Sequence, residues 1–195
     1  PAPDLHQLLR QYWGYDQFRP LQEDIIRSVL EGKDVLALLP TGGGDDILQG
    51  SALALDGICL VVSPLIALMK DQVANLRKRG IQALLIHSGM HYQEVRRTLE
   101  NARHGNFRLL YVSPERLESS LFREYVEALR IRLVAVDEAH CISQWGHDFR
   151  PSYRRISALR EVLPRVPVLA LTASATRLGQ DDICTQLGFS VEARR

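Results

Sequence analysis

The sequence has no long hydrophobic run. The longest apolar stretch, Ile58 to Met69, is broken by Ser63-Pro64 and is too short to cross a bilayer. No basic and apolar leader opens the chain, so no signal peptide and no membrane partner are expected. Cysteine is scarce: Cys59, Cys141 and Cys184 stand far apart, with no CxxC pair. That spacing predicts neither a zinc site nor a disulfide framework, and it fits a reducing compartment. There is little charge imbalance either. With a net charge of +1, any face for nucleic acid must be a local patch. Arg77-Lys78-Arg79, Arg96-Arg97 and Arg154-Arg155 are the candidates, although such runs are more often solvated helix faces. Internal repeats and low-complexity linkers are absent too.

What is present is an alternation. Apolar runs of strand length lie at 34–39, 58–63, 83–87, 108–113, 131–137 and 167–172, and helix-compatible segments at 4–12, 20–31, 65–79, 92–103 and 153–163. Strands that read as continuous apolar runs are covered on both faces, so the pattern predicts one α/β domain with a mostly parallel sheet between helices. Ligands of such sheets bind at the carboxyl ends of the strands. A chain of 195 residues is long enough for one such core.

The chemistry-bearing residues fall at those ends. The run Leu133 to Val136 stops at Asp137-Glu138-Ala139-His140. There one carboxylate can hold a magnesium ion and its neighbour can orient and deprotonate a water. Just beyond it lie Trp145, His147, Phe149 and Arg150, residues suited to stacking on bases and contacting phosphates. Strand 34–39 runs into Pro40-Thr41-Gly42-Gly43-Gly44, whose glycines allow backbone N–H groups to curl around an anion. A phosphate loop then needs a lysine and a hydroxyl, yet Asp45 and Asp46 follow. These two suit a helix N-terminus but repel a triphosphate.

Other strand ends carry hydroxyls. Ser63-Pro64 and Ser113-Pro114 repeat one strand–turn–helix arrangement, which would let Ser63 and Ser113 track a DNA backbone or merely cap two helices. His87-Ser88-Gly89-Met90 is a third loop at that edge, and Ser174 and Thr176 follow the last strand. Near the start, Tyr15 and Arg19 can sandwich a planar base and Gln22 can read its edge. The same stretch also reads as a helix entry with Pro20 at its first position.

Together these residues resemble the first RecA-like motor domain of a RecQ-family DNA helicase, in helicase superfamily 2, over nearly the whole chain. The narrowest signal is DEAH running directly into CISQWGHDFRP, from Asp137 to Pro151. The resemblance implies a RecA-like fold over residues 1–195, with an adenine-motif helical segment at 1–32 and the sheet core at 33–195. It implies ATP and magnesium as cofactors, with Tyr15, Arg19 and Gln22 on adenine, and Thr41, Gly42, Gly43 and Gly44 around phosphates. Asp137 would sit on magnesium, and Glu138 would be the general base. Ser63 and Ser113 would lie on the DNA backbone, while Trp145, His147, Phe149 and Arg150 would sense single-stranded DNA. Ser174 and Thr176 would belong to the coupling motif III.

It also implies 3′→5′ unwinding of single-stranded or forked DNA in repair and recombination, by a protein that is expected to be monomeric. The setting would be the bacterial cytoplasm and nucleoid, or a eukaryotic nucleus. Two departures temper this. The family's Lys-Ser is Asp45-Asp46 here, followed by the equally unfamiliar Ile47 to Ser51, so ATP is expected to bind poorly. The family's second motor domain and C-terminal regions are not in this sequence. A catalytically silent DNA-binding module is therefore the rival reading, with a metal-dependent nuclease or phosphatase built on Asp45, Asp46, Asp137 and Glu138 a weaker third.

Overall fold

A six-stranded parallel sheet forms the centre of the molecule, in the order β1-β6-β5-β2-β4-β3. The computed structural model describes residues 20–39 and 44–190. The expected helix at 4–12, and Tyr15, Arg19, Thr41, Gly42 and Gly43, lie outside the described residues. The strands are β1 (Val35–Leu38), β2 (Ile58–Val62), β3 (Ala83–Ile86), β4 (Leu109–Val112), β5 (Ile131–Val136) and β6 (Val168–Thr172). Each falls inside a run expected from the sequence, and the sheet is parallel throughout rather than mostly so.

Alternation along the strands feeds two apolar layers. Ile58, Leu60 and Val62 of β2 join Leu110, Val112, Val134, Val136, Val168 and Ala170 in one. Cys59 and Val61 point the other way, with Leu109, Tyr111, Leu133, Ala135, Leu169 and Leu171. Helices α1 (Pro20–Leu30), α2 (Gly44–Ala54) and α3 (Ile66–Lys78) supply the second layer, through Ile26, Ile47, Leu48, Met69 and Leu76. Helices α4 (Tyr92–His104), α5 (Ser120–Val126), α6 (Ile156–Val162) and α7 (Arg177–Gln186) supply the first, through Leu99, Phe122, Ile156 and Ile183. Burial on both faces is why neither side of β2 carries a polar residue.

The sequence-predicted helix at 153–163 is two elements, a 3-10 turn at Pro151–Arg155 and then α6. Pro151 begins the turn without an N–H to donate. Tyr153 within it is wholly buried and hydrogen-bonded to the end of β5, which fixes the turn's position.

An ion pair closes the far end of the sheet. Arg160 on α6 donates two bonds to the Asp34 carboxylate at 2.9 and 2.8 Å, and the Val168 N–H donates to the same carboxylate at 2.9 Å. The fork geometry joins the starts of β1 and β6 to the helix layer. All strands being parallel, every loop that carries chemistry leaves from the opposite, carboxyl edge.

Candidate functional site

The site is built around the abrupt end of β5. The Asp137 N–H still pairs with the Val62 carbonyl at 2.9 Å, as a strand residue does. Glu138 then takes φ 52° and ψ 47°, the one non-glycine residue with positive φ among those described. A side chain in that left-handed region costs about 1–2 kcal/mol. Such strain persists only where surrounding bonds impose it, and it gathers at functional sites. The imposing bonds are visible: the Glu138 N–H donates to Asp137 Oδ1 at 3.0 Å, and the Tyr153 hydroxyl donates to the Asp137 carbonyl at 2.7 Å. The turn delivers Glu138 half-exposed at the edge and drops Ala139–Ile142 into a buried 3-10 turn.

Asp137 is electrostatically unusual. Burial pushes its carboxyl up to about 6, the neighbouring Glu138 charge pushes the same way, and Asp45 adds to it, against the Glu138 N–H. Asp45, in the first turn of α2, is itself raised, by burial first and by Asp46 second, while a 3.0 Å bond from the Gln72 amide opposes this. The glycine loop's helix and the end of β5 therefore bring acids toward each other.

His140 connects this acidic end to two other loops. Its Nδ1 lies 2.9 Å from Thr172 Oγ1, and that hydroxyl donates to the Ser174 carbonyl at 3.1 Å. Which of Nδ1 and the Thr172 hydroxyl donates in that contact depends on the imidazole tautomer. Nε2 faces Glu138 Oε2 at 3.5 Å. Burial holds the imidazole below its ordinary value, with Glu138 pulling in the opposite direction. On its outer side the ring stacks on His147, centroids 4.6 Å apart and planes 14° from parallel.

The aromatic loop is pinned at several points. The Arg150 N–H donates to the Cys141 carbonyl at 2.8 Å. Ser143 Oγ donates to Asp182 on α7 at 2.6 Å and accepts the Trp145 N–H at 3.1 Å. Phe149 lies under the Arg154 guanidinium, 5.2 Å from its ring centroid. Trp145 is left 64% exposed, which makes it available for stacking. Between this loop, Ser174-Ala175-Thr176 and α7 lies a cavity of about 490 Å³ lined by Trp145, His147 and Ile183 among others.

The chain matches the family model described as DEAD/DEAH box helicase over residues 19–181. The chain belongs to that family. It is 48% identical to the ATP-dependent DNA helicase RecQ of Bacillus subtilis over 188 residues, covering 95% of this chain and 32% of that protein. The probable ATP-dependent DNA helicase RecS of the same organism is 45% identical, over 94% of this chain and 37% of that protein. The chain thus spans about a third of the length of these relatives. In fold it is similar to the helicase Lhr of Mycobacterium smegmatis, solved bound to ssDNA and AMP-PNP, with a TM-score of 0.73 at 20% identity over 94% of this chain and 26% of that one.

Within a DEAD/DEAH box helicase, the donor set at the end of β5 fits a hard divalent ion. Asp137 and Glu138 are adjacent carboxylates, and a cation would offset the burial, and after it the Glu138 charge, that raise Asp137. The start of α2 does not fit a triphosphate: Asp45 and Asp46 place two acids in its first turn, and burial first and Asp46 second already raise Asp45. Gly44 begins α2, as the loop reading expects, while Gln22 lies on α1.

The serine hydroxyls are differently placed. Ser63 and Ser113 are both buried, Ser63 Oγ accepting a long 3.5 Å bond from the Leu65 N–H. Ser113 Oγ has no partner among the described residues. Thr176 caps α7 by accepting the Gly179 N–H at 3.1 Å, and Ser174 contributes its carbonyl to Thr172. Two residues escaped the sequence reading. Tyr153 holds the acidic turn. Arg116 donates to the carbonyls of His87 and Ser88 at 3.0 and 3.2 Å and to that of Met90, tying the loops after β3 and β4 together. Each acts through a partner at least 16 residues away, so no local motif announces them.

Proposed function

We propose that the chain is the first RecA-like motor domain of a RecQ-type ATP-dependent DNA helicase, acting 3′→5′ on single-stranded or forked DNA in repair and recombination. In this reading Asp137 holds magnesium and Glu138 is the general base. Trp145, His147, Phe149 and Arg150 engage single-stranded DNA, with Ser63 and Ser113 near its backbone, and Tyr15, Arg19 and Gln22 read adenine. The observation that carries it is His140. One imidazole faces Glu138, bonds Thr172 and stacks on His147, so the hydrolytic end of β5 and the aromatic loop share a single rigid connection. A second motor domain is the expected partner, because hydrolysis moves DNA only when two such units close and open around nucleotide.

A second reading, a DNA-binding module without hydrolysis, is favoured by Asp45 and Asp46. Two acids in the first turn of α2 predict weak ATP binding by the chain as it is. DNA-stimulated ATP hydrolysis should be negligible for this chain and should appear in the double substitution Asp45→Lys with Asp46→Ser. Strong hydrolysis by the unsubstituted chain would overturn the proposed weakness. Failure of the restored pair to hydrolyse ATP, with DNA binding intact, would favour the silent module.

A further inference from the structure

We infer that His140, Cys141 and Asp148 form a binding site for a soft divalent ion of the zinc class. A donor atom from each lies within 4.8 Å of the other two, the one such trio among the described residues. The absence of a CxxC pair hides this trio in the sequence. It arises because the chain doubles back between Cys141 and Arg150, whose N–H bonds the Cys141 carbonyl.

Two observations besides bare proximity support it. Cys141 Sγ is already 3.8 Å from Asp148 Oδ2. Nitrogen, thiolate and carboxylate are also the donors of tetrahedral zinc, whose bonds of about 2.0–2.3 Å place ligand atoms about 3.5 Å apart. Loop movements of about an ångström therefore close the site, with water in the fourth position. Arg150 opposes this, because its guanidinium lies 3.4 Å from Asp148 Oδ2 and must yield.

A thiolate donor favours zinc or cobalt over magnesium. On binding, the S–H proton leaves to solvent as the sulfur–metal bond forms, and no electrons are transferred. The bound ion would clamp residues 140–148 and engage His140, the connection between the acidic turn and the aromatic loop. This site is separate from the magnesium position assigned to Asp137 and does not depend on the helicase reading.

Cobalt(II) titration of the purified chain tests it, because a thiolate ligand gives an intense sulfur-to-cobalt charge-transfer band. The expected result is one ion per chain with that band, displaced by zinc but not by magnesium. Cys141→Ser should abolish the band. Asp148→Asn should keep it while weakening the ion roughly tenfold or more, the scale on which ligand-shell changes act. The double variant Cys59→Ser with Cys184→Ser leaves Cys141 as the sole thiol and should retain the band, even should Cys141→Ser fail to fold. No band in the unsubstituted chain, its loss in the double variant, or unchanged affinity in Asp148→Asn would overturn the proposal.

Discussion

The hydroxyl of Tyr153 donates to the main-chain carbonyl of Asp137 at 2.7 Å. Tyr153 is wholly buried, so this bond anchors the residue that ends the apolar run, just before the strained Glu138 turn. Tyr153→Phe leaves that carbonyl without this donor at no cost in shape. The expected loss is about 1–2 kcal/mol, from an unmet buried acceptor. Chemical denaturation should show the midpoint falling with an unchanged slope.

Asp137 gives a pH signature. Its folded-state carboxyl is raised to about 6, chiefly by burial, above the ordinary carboxylate value. Between about pH 4 and 6 the folded chain therefore holds the proton more tightly than the unfolded chain, and its contribution to stability falls as pH rises through that window. Asp137→Asn, which keeps an oxygen for the Glu138 N–H, should stabilise the chain by about 1–2 kcal/mol at pH 7. The gain should vanish below about pH 4. Thermal unfolding in a chelator across pH 3.5–7.5 reads both limbs, and a pH-independent difference would contradict the assignment.

Trp145 should carry binding energy rather than stability. Its ring is exposed while its backbone is fixed by Ser143. Trp145→Ala should weaken single-stranded DNA by about 1–3 kcal/mol, the scale of one stacked base. Fluorescence anisotropy should record that loss with the unfolding temperature little changed.

Gly146 marks a close approach. A Cβ there would meet the His140 carbonyl oxygen at 2.8 Å and that of Ser143 at 3.3 Å, both main-chain atoms that cannot swing aside. Gly146→Ala should cost about 1–3 kcal/mol through overpacking and displace the aromatic loop. Unlike Trp145→Ala, it should lower both the unfolding temperature and DNA affinity.

The ion pair of Asp34 and Arg160 is partly shielded and shared with the Val168 N–H. Asp34→Ala strands a guanidinium and an N–H at once, for an expected loss of about 2 kcal/mol. DNA affinity, which we propose is set at the opposite edge of the sheet, should not move.

The legible parts of this protein were the local ones. A buried parallel strand must be apolar on both faces, so β2, β4 and β5 show themselves as unbroken runs, and their ends point to Asp137-Glu138 and the aromatic cluster. The helix expected at 153–163 is two elements because the anchor that splits it, the bond from Tyr153 to Asp137, leaves no periodic trace in the sequence.

By itself, then, the sequence determined the sheet, the two acids that open α2, and the segment from Asp137 to Arg150 that marks the family. The tertiary structure alone decided which groups meet there: His140 with Thr172, 32 residues on; Ser143 with Asp182, 39 residues on; and Asp34 with Arg160, 126 residues on. Hydrophobic periodicity reflects which face of an element is buried and is read within a few residues. The strand order β1-β6-β5-β2-β4-β3 decides which strand ends become neighbours, and a hydrogen bond depends on that distance in space, however far apart its partners lie along the chain.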